Sequence, residues 1–156
     1  LSFVDLYSYA GGPGFTGHFT LMNDIAAEAP EYLAYERWHA GWLDDEQVLC
    51  VESDFSWTIT PIEEVGGTKA LMIPVGPSRA VVVESRRAIG YDSDLSREGA
   101  IVYVVDTSIY SGEGTIQLAN DQQALGAGDS ATVDGITITV LESTAEGDTV
   151  AVMVGG

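Results

Sequence analysis

At 156 residues the chain is long enough for one domain, or one small domain plus the edge of another, and buries roughly 70% of its unfolded surface without disulfides. Its single cysteine, Cys50, excludes an intrachain bridge and any zinc site built on several cysteines. Six basic residues against 24 acidic ones give a net charge of −18, which argues against nucleic acid or anionic membrane as a partner, since both select cationic surface.

The acidity fits a solvated surface that keeps an extracellular or salt-tolerant protein soluble. The sharper alternative is calcium binding by clustered carboxylates, but the acids are spread along the whole chain. No transmembrane run is present, and the chain opens at Leu1 without methionine, basic n-region or apolar signal segment. That start is the one expected of a processed product or an excised piece of something longer.

Residues 1–29 predict a loop-rich front. A short apolar run over 1–9 meets the breaker cluster Ala10-Gly11-Gly12-Pro13-Gly14, and residues 20–24 form a turn before the one segment that reads as helix, 30–43. Pro30 suits the first helical position, Glu31 the positive end of the dipole, and Gly41 the left-handed residue that stops the helix. Ala34, Trp38 and Trp42 follow at i, i+4, a row expected to anchor the helix on a sheet, while Glu31, Tyr35 and His39 fall on the neighbouring row.

Strands are then predicted over 47–51, 56–61, 69–74 and 79–84, with Cys50 as a small buried residue in the first of them. The continuous apolar runs at 80–83 and 100–105 predict strands covered on both faces, joined by a polar connection over 86–99. Asp134-Gly135, flanked by β-formers over 131–133 and 136–140, signals a hairpin, and a last strand spans 149–154. About eight strands in some 110 residues predict a mainly β protein, an antiparallel β-sandwich preceded by a loop-rich segment and one short α-helix.

The two histidines, His18 and His39, are not in a His-Glu-x-x-His pattern, so the helical pair that puts two zinc ligands on one face is missing. His18, beside Gly17 in a loop, is a candidate cleft-lining residue, whereas His39 reads as structural. No Gly-x-Ser-x-Gly elbow occurs. Asp92 and Asp94, one residue apart in a glycine-flanked loop, are candidate calcium ligands, although no full calcium-loop signature completes them.

Leu1-Ser2-Phe3-Val4-Asp5-Leu6-Tyr7, Gly17-His18-Phe19-Thr20-Leu21-Met22, Ala40-Gly41-Trp42, Gly66-Gly67-Thr68-Lys69-Ala70, Glu84-Ser85-Arg86, Gly90-Tyr91-Asp92 and Val105-Asp106 occur in this order. Together they resemble the back half of the immune-inhibitor-A-like secreted zinc metallopeptidases, in which a zincin catalytic domain precedes β-rich domains. The resemblance implies that residues 1–46 end a zincin-like catalytic domain, with Met22 in the turn that floors the zinc site, and that 47–156 form a β-sandwich domain. It also implies Asp5 as a candidate third zinc ligand, although Ser2-Phe3-Val4 replaces a shorter, proline-containing link.

The two histidines and the general-base glutamate of that family would lie upstream of Leu1, so no catalytic residue is expected in this chain. The implied cofactor is zinc, held mostly by upstream residues. The implied partners are an upstream polypeptide and a peptide or protein substrate, and the implied location is extracellular. A non-catalytic extracellular β-sandwich module that binds a partner or calcium is the competing reading.

Overall fold

A computed structural model describes residues 3–119, 121 and 123–155. Leu1 and Ser2, which open the first of the resembling motifs, and the final Gly156 lie outside the described residues. The fold is mainly β: the described residues form nine strands in two sheets, with one short α-helix, α1 (Ala34–His39).

One sheet has the order β1 (Val48–Cys50), β3 (Ala70–Pro74), β4 (Arg79–Arg86), β5 (Gly99–Asp106) and β6 (Ile116–Leu118). Only its β1–β3 pair is parallel. The other sheet is antiparallel throughout, in the order β2 (Phe55–Ile59), β9 (Gly147–Val154), β8 (Ile136–Thr144) and β7 (Ser130–Val133). Asp134-Gly135 make the β7–β8 turn, as the sequence predicts.

The two sheets enclose one apolar cluster that contains Leu71, Val81, Val83, Val102, Ile138 and Val150. The opposite face of the first sheet carries a second cluster. There Val82, Ile101, Tyr103 and Val105 pack under Leu6, Phe19, Ala29, Leu33 and Ala34 of the front segment. Alternate residues of β4 and β5 therefore enter different clusters, and both strands are apolar on both faces because both faces are covered. The front segment also extends the sheet edge, since Leu118 N donates to Phe15 O (2.9 Å) and Phe15 N to Leu6 O (3.0 Å).

The helix is shorter than the sequence predicts. Leu33 holds an extended backbone (ψ 150°), so the helix begins at Ala34 and Pro30 lies outside it. It stops where expected. Gly41 takes φ +75°, its N–H donates to Trp38 O, and Trp42 N–H reaches back to Arg37 O, a Schellman motif that needs a residue free of Cβ hindrance at position 41.

That turn throws Trp42 off the predicted row, which corrects the expected aromatic anchor. Trp42 is 56% exposed and stands edge-on to Phe3 and Tyr32, at centroid distances of 5.4 and 5.5 Å. Trp38 is half-buried, with its indole N–H on Asp45 Oδ1 (2.8 Å). Leu33, Ala34 and Glu36 are the buried residues at this helix. Cys50 is a second correction. It is exposed at the end of edge strand β1, on the same parity as Val48 and Met72, and Val51 fills the core in its place.

Urea denaturation should separate these positions: Leu33→Ala is expected to cost about 2–5 kcal/mol, and Trp42→Ala only about 1 kcal/mol, the scale of an exposed aromatic contact. Equal losses would restore the Trp42 row as the anchor.

Candidate functional site

The front segment is fixed to the sheet by a buried polar cluster that begins at Arg86. Its side chain is wholly buried, yet Nε donates to Glu84 Oε1 (2.8 Å), Nη1 to Asp92 Oδ2 (2.6 Å) and Nη2 to Phe19 O (2.8 Å) and Glu31 O (3.4 Å). Burial works against the guanidinium charge, but Glu84 and Asp92 outweigh it and raise its pKa. The other oxygen of Glu84 accepts from Ala34 N (2.6 Å) and from the Tyr103 hydroxyl (2.7 Å). Burial, with Glu84 adding to it, raises the Tyr103 pKa, so it remains a phenol able to donate. Tyr103 oxygen in turn accepts Tyr35 N (3.2 Å). The first free N–H groups of a six-residue helix thus end on β4 and β5.

Glu36 closes the cluster toward the front. Its Oε2 accepts Leu33 N and Thr20 Oγ1, both at 2.8 Å, and burial pushes its carboxyl up to about 7. Thr20 Oγ1 also accepts Met22 N (3.3 Å). Met22 therefore sits in a turn braced from beneath by Glu36, half-buried against the front cluster.

The same turn meets Asp5, because Leu6 N donates to Met22 O (2.9 Å). Residues 5–9 then run beside the loop that follows β5. Asp5 N donates to Ser111 Oγ (2.8 Å), Gly112 N to Asp5 O (2.8 Å) and Tyr9 N to Gly112 O (3.1 Å). Gly112, at φ +75°, lies against the Tyr9 ring so closely that a Cβ would stand 2.4 Å from its carbons. The half-buried Asp5 carboxylate accepts from the Tyr9 hydroxyl (2.5 Å) and, more distantly, from that of Tyr7 (3.4 Å). The result is a carboxylate framed by exposed phenols at the edge of the front segment.

The structure brings Asp5 and Met22 together and separates the other predicted site residues. His18 packs its ring on Phe19 (4.7 Å between centroids), lies 3.8 Å from Glu28 Oε2, and lines a cleft of about 200 Å3 with Ser96, Arg97 and Gln123. None of those contacts involves Asp5 or Met22. Asp92 and Asp94 are split between interior and solvent. Asp92 is buried, with Oδ1 on Glu31 N (2.9 Å) and Oδ2 on Arg86, whereas Asp94 is exposed.

Glu36, Glu84, Ser111 and Gly112 were not singled out as site residues by sequence. Glu84 and Arg86 stand within one resembling motif, but their inward direction depends on a front segment folding over them. Ser111 and Gly112 reach Asp5 only through tertiary contact.

Asp5 offers one hard oxygen donor, the type that a zinc ion accepts. Among the described residues no group of three or more His, Cys, Asp or Glu is placed to hold a metal. No helix among them is long and apolar enough to cross a membrane. Comparison with known protein families, curated proteins and solved structures returned no match.

Two outcomes follow from the buried cluster. Arg86→Ala leaves Glu84 and Asp92 buried and unpaired and should cost about 3–5 kcal/mol in urea denaturation. The front segment should become the first site of limited proteolysis. The raised Glu36 pKa makes its protonated form the one the fold prefers, so its stabilising contribution is present below about pH 4.5 and lost as pH rises through about 7. Thermal melts of Glu36→Gln between pH 4.5 and 8 should therefore show a flatter pH dependence than the unmodified chain; parallel curves would assign the slope elsewhere.

Proposed function

We propose that this chain is the C-terminal part of a secreted zinc metallopeptidase, not catalytic alone, that contributes the Met-turn, one wall of the cleft and a β-sandwich domain. The observation that carries this reading is the Leu6 N to Met22 O bond, which sets the candidate zinc donor Asp5 beside the candidate Met-turn. The resemblance places these two residues at one centre, and the fold makes them neighbours across two intervening loops.

In that family, bound zinc polarises the peptide carbonyl and activates water. This chain's share is to present the Asp5 carboxylate, with the Asp5 backbone fixed by Ser111 and its side chain by Tyr9, and to floor the site with Met22. Met22 serves as apolar support, since its backbone is fixed through Thr20 to buried Glu36. The histidine pair and the general-base glutamate come from an upstream polypeptide. Tyr7 and Tyr9, 48% and 60% exposed around Asp5, give the edge the aromatic character of a surface that meets a second polypeptide or a peptide substrate.

Native mass spectrometry of the protein isolated from its source is the test. A second polypeptide and a zinc ion should travel with the chain, and Asp5→Asn should lower zinc occupancy by about tenfold or more. A bare, zinc-free monomer near 16.5 kDa would overturn the proposal.

A further inference from the structure

An open groove of about 510 Å3 lies along edge strand β2, between β2, β9 and the loop that joins β2 to β3. Its size falls within the roughly 300–1,000 Å3 of small-molecule sites. Ser56, Thr58 and Thr149 line it from the strands, and Thr60, Gly67 and Thr68 from the loop. Trp57, 45% exposed, completes the lining. Every one of these residues is uncharged, in a chain that carries 24 acidic side chains.

The groove is held in shape by its own walls. Thr60 N donates to Thr68 O (2.8 Å), and the Thr60 hydroxyl donates to Gly66 O (3.1 Å) and accepts from buried Lys69 Nζ (3.0 Å). Gly67, at φ +74°, lies so close to Thr60 that a Cβ would stand 2.5 Å from its Oγ1. Trp57 has the inward parity of Phe55 and Ile59, but β2 is an edge strand, so the indole reaches the rim of the sandwich. There its N–H donates to Thr68 Oγ1 (3.0 Å) and its ring stacks beside Phe55 (5.6 Å between centroids). With that one donor engaged, the indole offers a ligand only apolar ring surface.

The lining selects the chemistry of the ligand. Thr58 and Thr149 pair across the strands and share one hydrogen bond (2.8 Å), which leaves one of their two hydroxyl hydrogens and spare lone pairs for a further partner. An ion would find no opposite charge among these side chains, and a purely apolar molecule would strip water from the hydroxyls without replacing it. An uncharged molecule with hydroxyls that both donate and accept, and with C–H surface to lay on an indole, meets both demands. A pyranose ring is such a molecule.

We propose that this groove binds a neutral, equatorially linked glycan, one pyranose ring packing its C–H face against Trp57 and its hydroxyls bonding to Ser56, Thr58 and Thr149. Equatorial links leave close to the plane of the ring and keep its faces free. The site is formed by the β-sandwich alone and does not rest on the peptidase reading.

The test is titration of the full chain with cellohexaose and with N-acetylchitohexaose, followed by amide and indole NMR. At least one should bind saturably below about 10 mM, shifting the Trp57 indole signal and the amides of 56–58, 68 and 149. The glucuronic acid hexamer in the same linkage should bind at least about tenfold more weakly, since its carboxylates meet an acidic chain and no lining cation. Trp57→Ala should abolish binding. Thr58→Val combined with Thr149→Val keeps the β-branched shape and should weaken binding at least about tenfold. No saturable binding of either neutral glycan, shifts confined to other residues, equal binding of the uronate, or binding indifferent to the valine pair would each overturn the proposal. If Trp57→Ala does not fold, the shift map and the valine pair still decide it.

Discussion

A front segment with almost no regular structure is held on the sheet by one guanidinium. Arg86 projects from the end of β4 into the second apolar cluster, where an unpaired charge would be prohibitively expensive, and every one of its nitrogens donates to something. Two of the acceptors, Phe19 O and Glu31 O, are backbone atoms of the front segment, and a third, Asp92, holds Glu31 N with its other oxygen. The irregular backbone that a helix or strand would satisfy internally is here satisfied by a side chain. Hydrophobic burial of Leu6, Phe19 and Leu33 supplies attraction without direction, and the Arg86 contacts supply the register.

The charge of this cluster does not balance, and the imbalance accounts for its most unusual members. One fully buried guanidinium, Arg86, and the half-buried Arg37 stand against four carboxyls, Glu84, Asp92, Glu36 and Glu63. Burial pushes Glu36 up to about 7 and Glu63 up to about 8, so near neutral pH both carboxyls sit close to half-protonated or beyond. Protonation relieves the excess negative charge without another cation, which matters in a chain with only six basic residues.

The strand pattern was largely legible from sequence because each strand's apolar period reflects a local fact, namely which faces are covered. The continuous runs in β4 and β5 indicated cover on both sides, and the Asp134-Gly135 pair located its hairpin. The three-residue strand β6 was not legible, being set by its pairing with β5 and by Phe15 of the front segment. Helical spacing misplaced Trp42 because i, i+4 logic holds only while the helix lasts, and Gly41 ends it one residue earlier. At the candidate site, the resemblance singles out Asp5 and Met22, but not the groups that position them. Ser111, Gly112 and Glu36 reach them from distant parts of the chain, and no local pattern records such a meeting.

The two halves of the candidate site differ in how they are held, and the difference is physical. Met22 rests on Thr20 and Glu36, inside the region Arg86 organises, so its position is coupled to the stability of the whole second cluster. Asp5 lies one residue before Leu6, which is fully buried, but its own carboxylate faces outward to Tyr7 and Tyr9 and is held by partly solvated bonds. A ligand or polypeptide arriving at this edge can therefore exchange the phenols on Asp5 without disturbing the core, whereas any movement of the Met22 turn must work against Arg86. Rigid support beneath and exchangeable partners above is the arrangement expected of a surface that completes a site with another chain.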